Sequence, residues 1–250
     1  MGDSSPSNTA VGPPLPIFLS STLDSFINNK EIKKSTLLKD AVSKSIDCLK
    51  ESNVSKLLAN HSTTLLTPFL LVFSLGTSVV KSTNLIIMAQ DACFRIISHS
   101  QFPASPIMVN PDPFRSGSGY RSVASPLSAQ AKPDDSSVAS APATDEKISL
   151  VDLVADIVSG CFVIEGVLDE KIQLATIRVI TAAIVSSNCP LHQSALINGI
   201  RAIYNIFIFM KSPANQVIAQ QSIKQIIECV FTRLSHAYQV NVKVTTTLSK

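Results

Sequence analysis

Apolar residues recur along most of this chain at spacings of three and four, the period of a helix with one covered face. Phe18, Leu19, Leu23, Phe26 and Ile27 mark such a face and predict a helix over 18–29. Leu37, Leu38, Ala41, Val42, Ile46 and Leu49 mark a second over 36–51. A third covers 62–80, with a bend expected at Pro68, and a fourth covers 82–99 through Leu85, Ile86, Ala89, Cys93, Ile96 and Ile97. The pattern resumes at 147–164 with Ile148, Val151, Val154, Ala155, Val158 and Phe162, then at 168–186 with Leu168, Ile172, Ala175, Val179 and Ala182. Two further helices are predicted at 190–210 and 213–236. Nowhere does a sustained alternation of β-branched residues bounded by tight glycine turns argue for a sheet; 238–248 is a weak strand candidate only.

Proline divides the chain. Of 14 prolines, four fall in residues 6–16 and seven in 103–142. Residues 1–16 are therefore expected to be disordered. Residues 101–146, rich in Pro, Ser and Ala and without an apolar period, read as a long disordered insertion. The organisation predicted is a helical half at 17–100, the insertion, a second helical half at 147–236 and a tail at 237–250.

Pro190 and Pro213 each stand where a helix begins, the position that does not need the missing N–H. Ser212 is the corresponding N-cap candidate. Two long apolar helices joined by the short corner at 210–213 must pack antiparallel, which is the unit of an α-solenoid. No strict repeat period is present. The fold class predicted is all-α, an armadillo- or HEAT-like solenoid of diverged antiparallel helix pairs.

Composition narrows the function. Apolar residues make up 45% and charged residues 16%, with no Trp, so faces of this chain are expected to be covered by a partner or by further polypeptide. A net charge of +3 is too mild to indicate nucleic acid, and the lysines between Lys30 and Lys56 are interleaved with Glu31, Asp40, Asp47 and Glu51. Five scattered cysteines, embedded in apolar helical text, predict reduced thiols and a cytoplasmic setting. The Ser/Pro-rich start has neither the basic nor the apolar part of a secretory signal. Segments 57–80 and 179–200 lack charge, but Pro68 in one and Asn188, Pro190 and Gln193 in the other interrupt them, so both read as buried helices.

No constellation carries catalytic chemistry. Cys189 and His192 have the spacing of two zinc ligands without a second pair, so no metal and no cofactor is expected. Gly117 and Gly119 make a Gly-x-Gly that follows no strand and opens no helix, which leaves it a linker. An enzyme with a site assembled from distant residues, or an unrelated helical-repeat adaptor, stays open at this level.

An ordered series of motifs adds a resemblance. It runs through Asp152-Leu153, Cys161-Phe162, Gln173-Leu174, His192, Arg201, Tyr204-Asn205-Ile206-Phe207, Lys211-Ser212-Pro213, Asn215-Gln216, Ala219, Gln225 and Val230-Phe231-Thr232-Arg233. Fainter pieces occur at Leu38-Lys39-Asp40-Ala41 and Ala89-Gln90-Asp91-Ala92-Cys93. Over about 35–100 and 147–235 the chain resembles the N-terminal DCB (dimerisation and cyclophilin-binding) domain of the large Golgi Arf guanine-nucleotide-exchange factors, the BIG proteins and their fungal counterparts. The resemblance implies a non-catalytic regulatory module within a much longer polypeptide, since the family's Phe-Arg-Leu-Pro-Gly-Glu exchange loop does not occur here. It further implies self-association as a homodimer, contact with a downstream HUS domain, and recruitment to the trans-Golgi by an Arf-like GTPase in its GTP form. The polar members of the best-matching segment are the partner-binding candidates: Arg201, Tyr204, Asn205, Lys211, Asn215 and Gln216, with Lys39 and Asp91 from the fainter match. Arg201, Tyr204 and Asn205 share one helix face by spacing. Asn215 and Gln216 have a local backbone role as the alternative, and Tyr204 has a buried, hydrogen-bonded position as its alternative.

Overall fold

In the computed structural model, the described residues are 13–51, 53–75, 80–115, 147–161, 169–186 and 191–248. They form ten helices and one two-stranded ribbon: α1 Leu15–Asn28, α2 Lys30–Lys34, α3 Thr36–Cys48, α4 Val54–Leu75, α5 Thr83–Ile97, β1 Met108–Val109, α6 Asp112–Arg115, β2 Ile148–Ser149, α7 Leu150–Cys161, α8 Glu170–Val185, α9 Gln193–Phe209 and α10 Pro213–Leu248.

The long helices stack as four pairs, α1 with α3, α4 with α5, α7 with α8, and α9 with α10. Within the stack α3, α4, α7 and α9 run side by side as one layer, and α1, α5, α8 and α10 as the other. This is the two-layer arrangement of a helical solenoid, in which each pair buries its apolar faces only against its neighbours. The all-α solenoid expected from the sequence is the fold observed.

Local chemistry starts several helices. Asn29 accepts a bond from the amide of Glu31 at the head of α2, Ser35 from Leu38 at α3, and Asp169 from Lys171 at α8. Glu31 in turn accepts from the amides of Lys81 and Ser82, tying α2 to the entry of α5. Phe26 and Phe69 meet edge to face, with centroids 5.4 Å apart, between the first two pairs. α4 is long and apolar enough to cross a membrane by length and composition, yet 67% of its most apolar window is buried inside the fold against α3, α5 and α7. α7 is buried at every position described from Leu150 to Gly160. Gly199 lets α9 approach α8 closely: a Cβ there would lie 2.8 Å from Ile180 Cγ2.

Several expectations change. Leu15 and Pro16, assigned above to a disordered start, open α1, and Leu15 is buried, since proline is accommodated in the first turn of a helix. Residues 101–115, assigned above to a disordered insertion, are packed: Phe102, Val109 and Phe114 are buried, and β1 pairs antiparallel with β2, joining Met108 to Ser149 and Val109 to Ile148. Single apolar residues between prolines carry no period, so the sequence pattern could not flag them. Residues 1–12 and 116–146, and Phe162, Leu168, Cys189 and Pro190, lie outside the described residues. Residues 238–248 continue α10 rather than forming a strand, because β-branched residues disfavour a helix by less than about 1 kcal/mol each. Leu37 was placed on the covered stripe of α3 but is 53% exposed, one position off the buried line of Leu38, Ala41, Val42 and Ser45. Finally, α9 starts at Gln193 with His192 as N-cap residue, and α4 starts at Val54, well before 62.

Candidate functional site

The best-matched segment folds into the terminal pair, α9 and α10. On α9 the outward face carries Ile197, Arg201, Tyr204 and Ile208, spaced four, three and four residues apart, all exposed. Tyr204 is 54% exposed and so is not a core tyrosine. Asn205, half-buried, flanks the face, and Lys211 is exposed in the corner after Phe209, itself exposed. On α10, Ile227, Phe231, Leu234 and Tyr238 repeat the same spacing with exposures of 49, 62, 63 and 71%. The pair therefore shows solvent two apolar stripes with few charges. A terminal solenoid repeat that stays soluble alone normally has a polar outer face, so these stripes have the character of contact surface.

The remaining sequence candidates do other things. Asn215 is buried and donates to the carbonyl of Glu170 at 3.2 Å, docking α10 on the start of α8. Gln216 donates to the carbonyl of Met210 at 2.8 Å and closes the α9–α10 corner. Both side chains are engaged within the chain, the local role named as their alternative. Lys39 is exposed on α3, in the first pair of the stack, and Asp91 pairs with Arg95 at 3.7 Å on α5 in the second. Neither joins the α9 face.

Two positioning groups were present in the motif series without a role. Asp152, buried at the start of α7, accepts the backbone N–H of His192 at 2.8 Å through Oδ1 and contacts His192 Nδ1 at 2.7 Å through Oδ2. It therefore supplies from another helix the cap that α9 lacks in its own sequence. Four residues on, Asp156 accepts from Asn198 Nδ2 at 3.2 Å, a second tie from α7 to α9. Arg233 reaches from α10 to the carbonyls of Ile184, Val185 and Ser186 at 2.8, 3.1 and 2.6 Å, covering the C-terminal end of α8 with one guanidinium. The signal for these was polar residues in otherwise apolar helical text; their partners lie 40 to 49 residues away and leave no local trace.

Chemistry at the cysteines is muted. Burial pushes the Cys93 thiol far above the ordinary range. Burial, with the charges of Asp47 and Glu51, also raises that of Cys48, which contacts His61 Nδ1 at 3.4 Å. Neither is poised as a thiolate. Among the described residues, no group of three or more His, Cys, Asp or Glu gathers as a metal would require.

The family model for the Mon2/Sec7/BIG1-like dimerisation and cyclophilin-binding domain matches residues 17–238. The chain belongs to this DCB family. Relatives agree: the chain is 27% identical over 224 residues to the ADP-ribosylation factor guanine nucleotide-exchange factor SEC7 of Saccharomyces cerevisiae, covering 87% of the chain but 10% of that protein. It is 35% identical over 88 residues to the exchange factor sec71 of Schizosaccharomyces pombe, 35% of the chain and 5% of that protein. It is 28% identical over 88 residues to the human brefeldin A-inhibited guanine nucleotide-exchange protein 1, again 35% of the chain and 5% of that protein. The DCB domain thus spans a small fraction of the curated relatives it matches, and is a regulatory, non-catalytic portion of such exchange factors. An adaptor unrelated to this family is no longer an alternative.

Proposed function

We propose that this DCB domain regulates an Arf guanine-nucleotide-exchange factor by holding protein partners. It self-associates, contacts the downstream HUS domain of the same polypeptide, and brings the protein from the cytoplasm to the trans-Golgi through an Arf-like GTPase in its GTP form. The observation that carries this reading is the outward face of α9, where Arg201 and Tyr204 stand between Ile197 and Ile208. An aromatic and an arginine flanked by aliphatic side chains is the composition of an interface centre rather than of ordinary solvent-facing surface. Asn205 and Lys211 flank that centre, while Lys39 and Asp91 would belong to separate contacts.

The test is a pull-down of the purified chain against Arf-family GTPases loaded with GDP or a GTP analogue. We expect one GTP-loaded member to be retained, and Tyr204→Ala or Arg201→Glu to weaken retention by at least about tenfold, a loss of about 1.4 kcal/mol. Equal retention of both nucleotide states, or of both variants, would remove the GTPase from the reading. Analytical ultracentrifugation of the same proteins tests self-association separately.

A further inference from the structure

A groove crosses the α1, α5, α8 and α10 layer, on the opposite layer from the α9 face. It consists of two clefts, of about 660 and 320 Å³, that share Phe94, Ser98, His99 and Arg178. Its most unusual feature is a ladder of arginines stacked on phenylalanines across three successive helices. Arg95 of α5 lies over the Phe18 ring of α1 at 4.0 Å, and Arg178 of α8 lies over the Phe94 ring of α5 at 4.8 Å. Arg95 also pairs with Asp91. Arg178 is exposed and makes no ion pair among the described residues. A guanidinium resting over an aromatic face is partly ordered by that contact, so it loses less freedom when its N–H fork meets a carboxylate.

The neighbouring groups complete a polar line. His99, which lines both clefts together with Arg178, accepts the amide of Gln101 on Nδ1 at 3.2 Å, which leaves Nε2 to act as a donor. Ser222 and Gln225 add a hydroxyl and an amide along the wall of the larger cleft, with Ile97 and Val185 as apolar patches between them. The shape runs across helices instead of enclosing a small molecule. Among the described residues, the charge not neutralised within the groove is that of Arg178.

We propose that this groove binds an extended acidic peptide segment of a partner protein, with Arg178 as the anchor for a carboxylate and Arg95 as a second contact. Adjacent helix axes lie roughly 8–10 Å apart, which three residues of a chain in the extended polyproline II form span at about 3.1 Å each, with the first and fourth side chains on one face. Acidic side chains three residues apart therefore match two successive rungs of the ladder. The inference stands apart from the α9 face and from self-association.

The experiment is fluorescence anisotropy of the full chain with a fluorescein-labelled peptide of four Glu-Ser-Leu repeats, beside its Lys-Ser-Leu counterpart. The acidic peptide should bind with an affinity that falls with salt, and the basic one should not bind. Arg178→Ala should weaken binding by about tenfold or more without changing the thermal unfolding curve. Arg178→Lys, which keeps the charge and loses the planar fork, should give an intermediate loss, and Tyr204→Ala should give none. The proposal is overturned by equal binding of both peptides, by undiminished binding to the Arg178→Ala protein, or by no binding up to millimolar peptide. Arg178-dependent sedimentation with vesicles rich in phosphatidylserine, without peptide binding, would overturn it in favour of a lipid surface.

Discussion

Removing Arg233 should loosen the last helix pair more than any other single change at the surface. The guanidinium bonds three carbonyls in the final turn of α8, at 2.6 to 3.1 Å, from a half-buried position. A charge-assisted bond contributes about 1.5–3 kcal/mol when well shielded, and a cation at a helix C-terminus adds about 0.3–1 kcal/mol. The three bonds share one group and the carbonyls keep some access to water, so the terms do not add in full. We expect Arg233→Ala to cost about 2–4 kcal/mol. Arg233→Lys retains the charge but can reach one carbonyl well, and should cost about 1–2 kcal/mol. In thermal unfolding a loss of about 3 kcal/mol corresponds to roughly 6–12 °C for a domain of this size. Hydrogen exchange locates the effect: among the α10 residues whose burial is described, up to 239, Ile226 is the last strongly buried apolar one, so amides from 227 to 239 should exchange faster while those of α4 do not change. If Arg233→Ala shifted stability by less than about 0.5 kcal/mol, or if lysine matched arginine, the forked cap would be an incidental contact and the argument would fail.

Four other outcomes follow from buried groups. Gln90 donates to Thr176 Oγ1 at 2.7 Å between α5 and α8, with its own Oε1 unpartnered; Thr176→Val should cost about 1–3 kcal/mol in urea unfolding, and adding Gln90→Met should recover most of it. Asp152→Ala leaves the α9 entry uncapped and should cost about 1–2 kcal/mol, with Asp152→Asn costing less, read by the same urea midpoints. Gly199→Ala gains about 1 kcal/mol of helix propensity but drives a methyl into Ile180, so a net loss is expected by calorimetry, and a larger one for Gly199→Val. The Cys93 thiol is raised on folding, so the unfolded chain releases its proton first. Stability should be unaffected below about pH 8.5 and fall above it by up to about 1.4 kcal/mol per pH unit. Cys93→Ala should remove that slope, which a pH series of urea titrations would show.

The sequence alone determined that long helices occupy most of the chain, because burying one face of a helix demands a three-and-four spacing that survives in the text. It placed Pro213 at the head of α10 and marked Leu85 to Ile97 as a covered face, and both are observed. It also carried the family, through an ordered set of motifs that the family match then established. What it could not supply was which apolar face meets a neighbour. Ile227, Phe231 and Leu234 have the spacing of a core stripe and are exposed, since covering depends on whether another helix lies alongside, a property of the stack. The same limit hid the packing of Phe102, Val109 and Phe114. It also hid the cap that Asp152 lends to α9, the forked cap of Arg233, and the arginine ladder over Phe18 and Phe94. Each joins residues far apart in sequence whose separate positions look ordinary. Local periodicity is written by each helix for itself, whereas a contact between helices exists only once the pairs have stacked and brought distant side chains within a few ångströms.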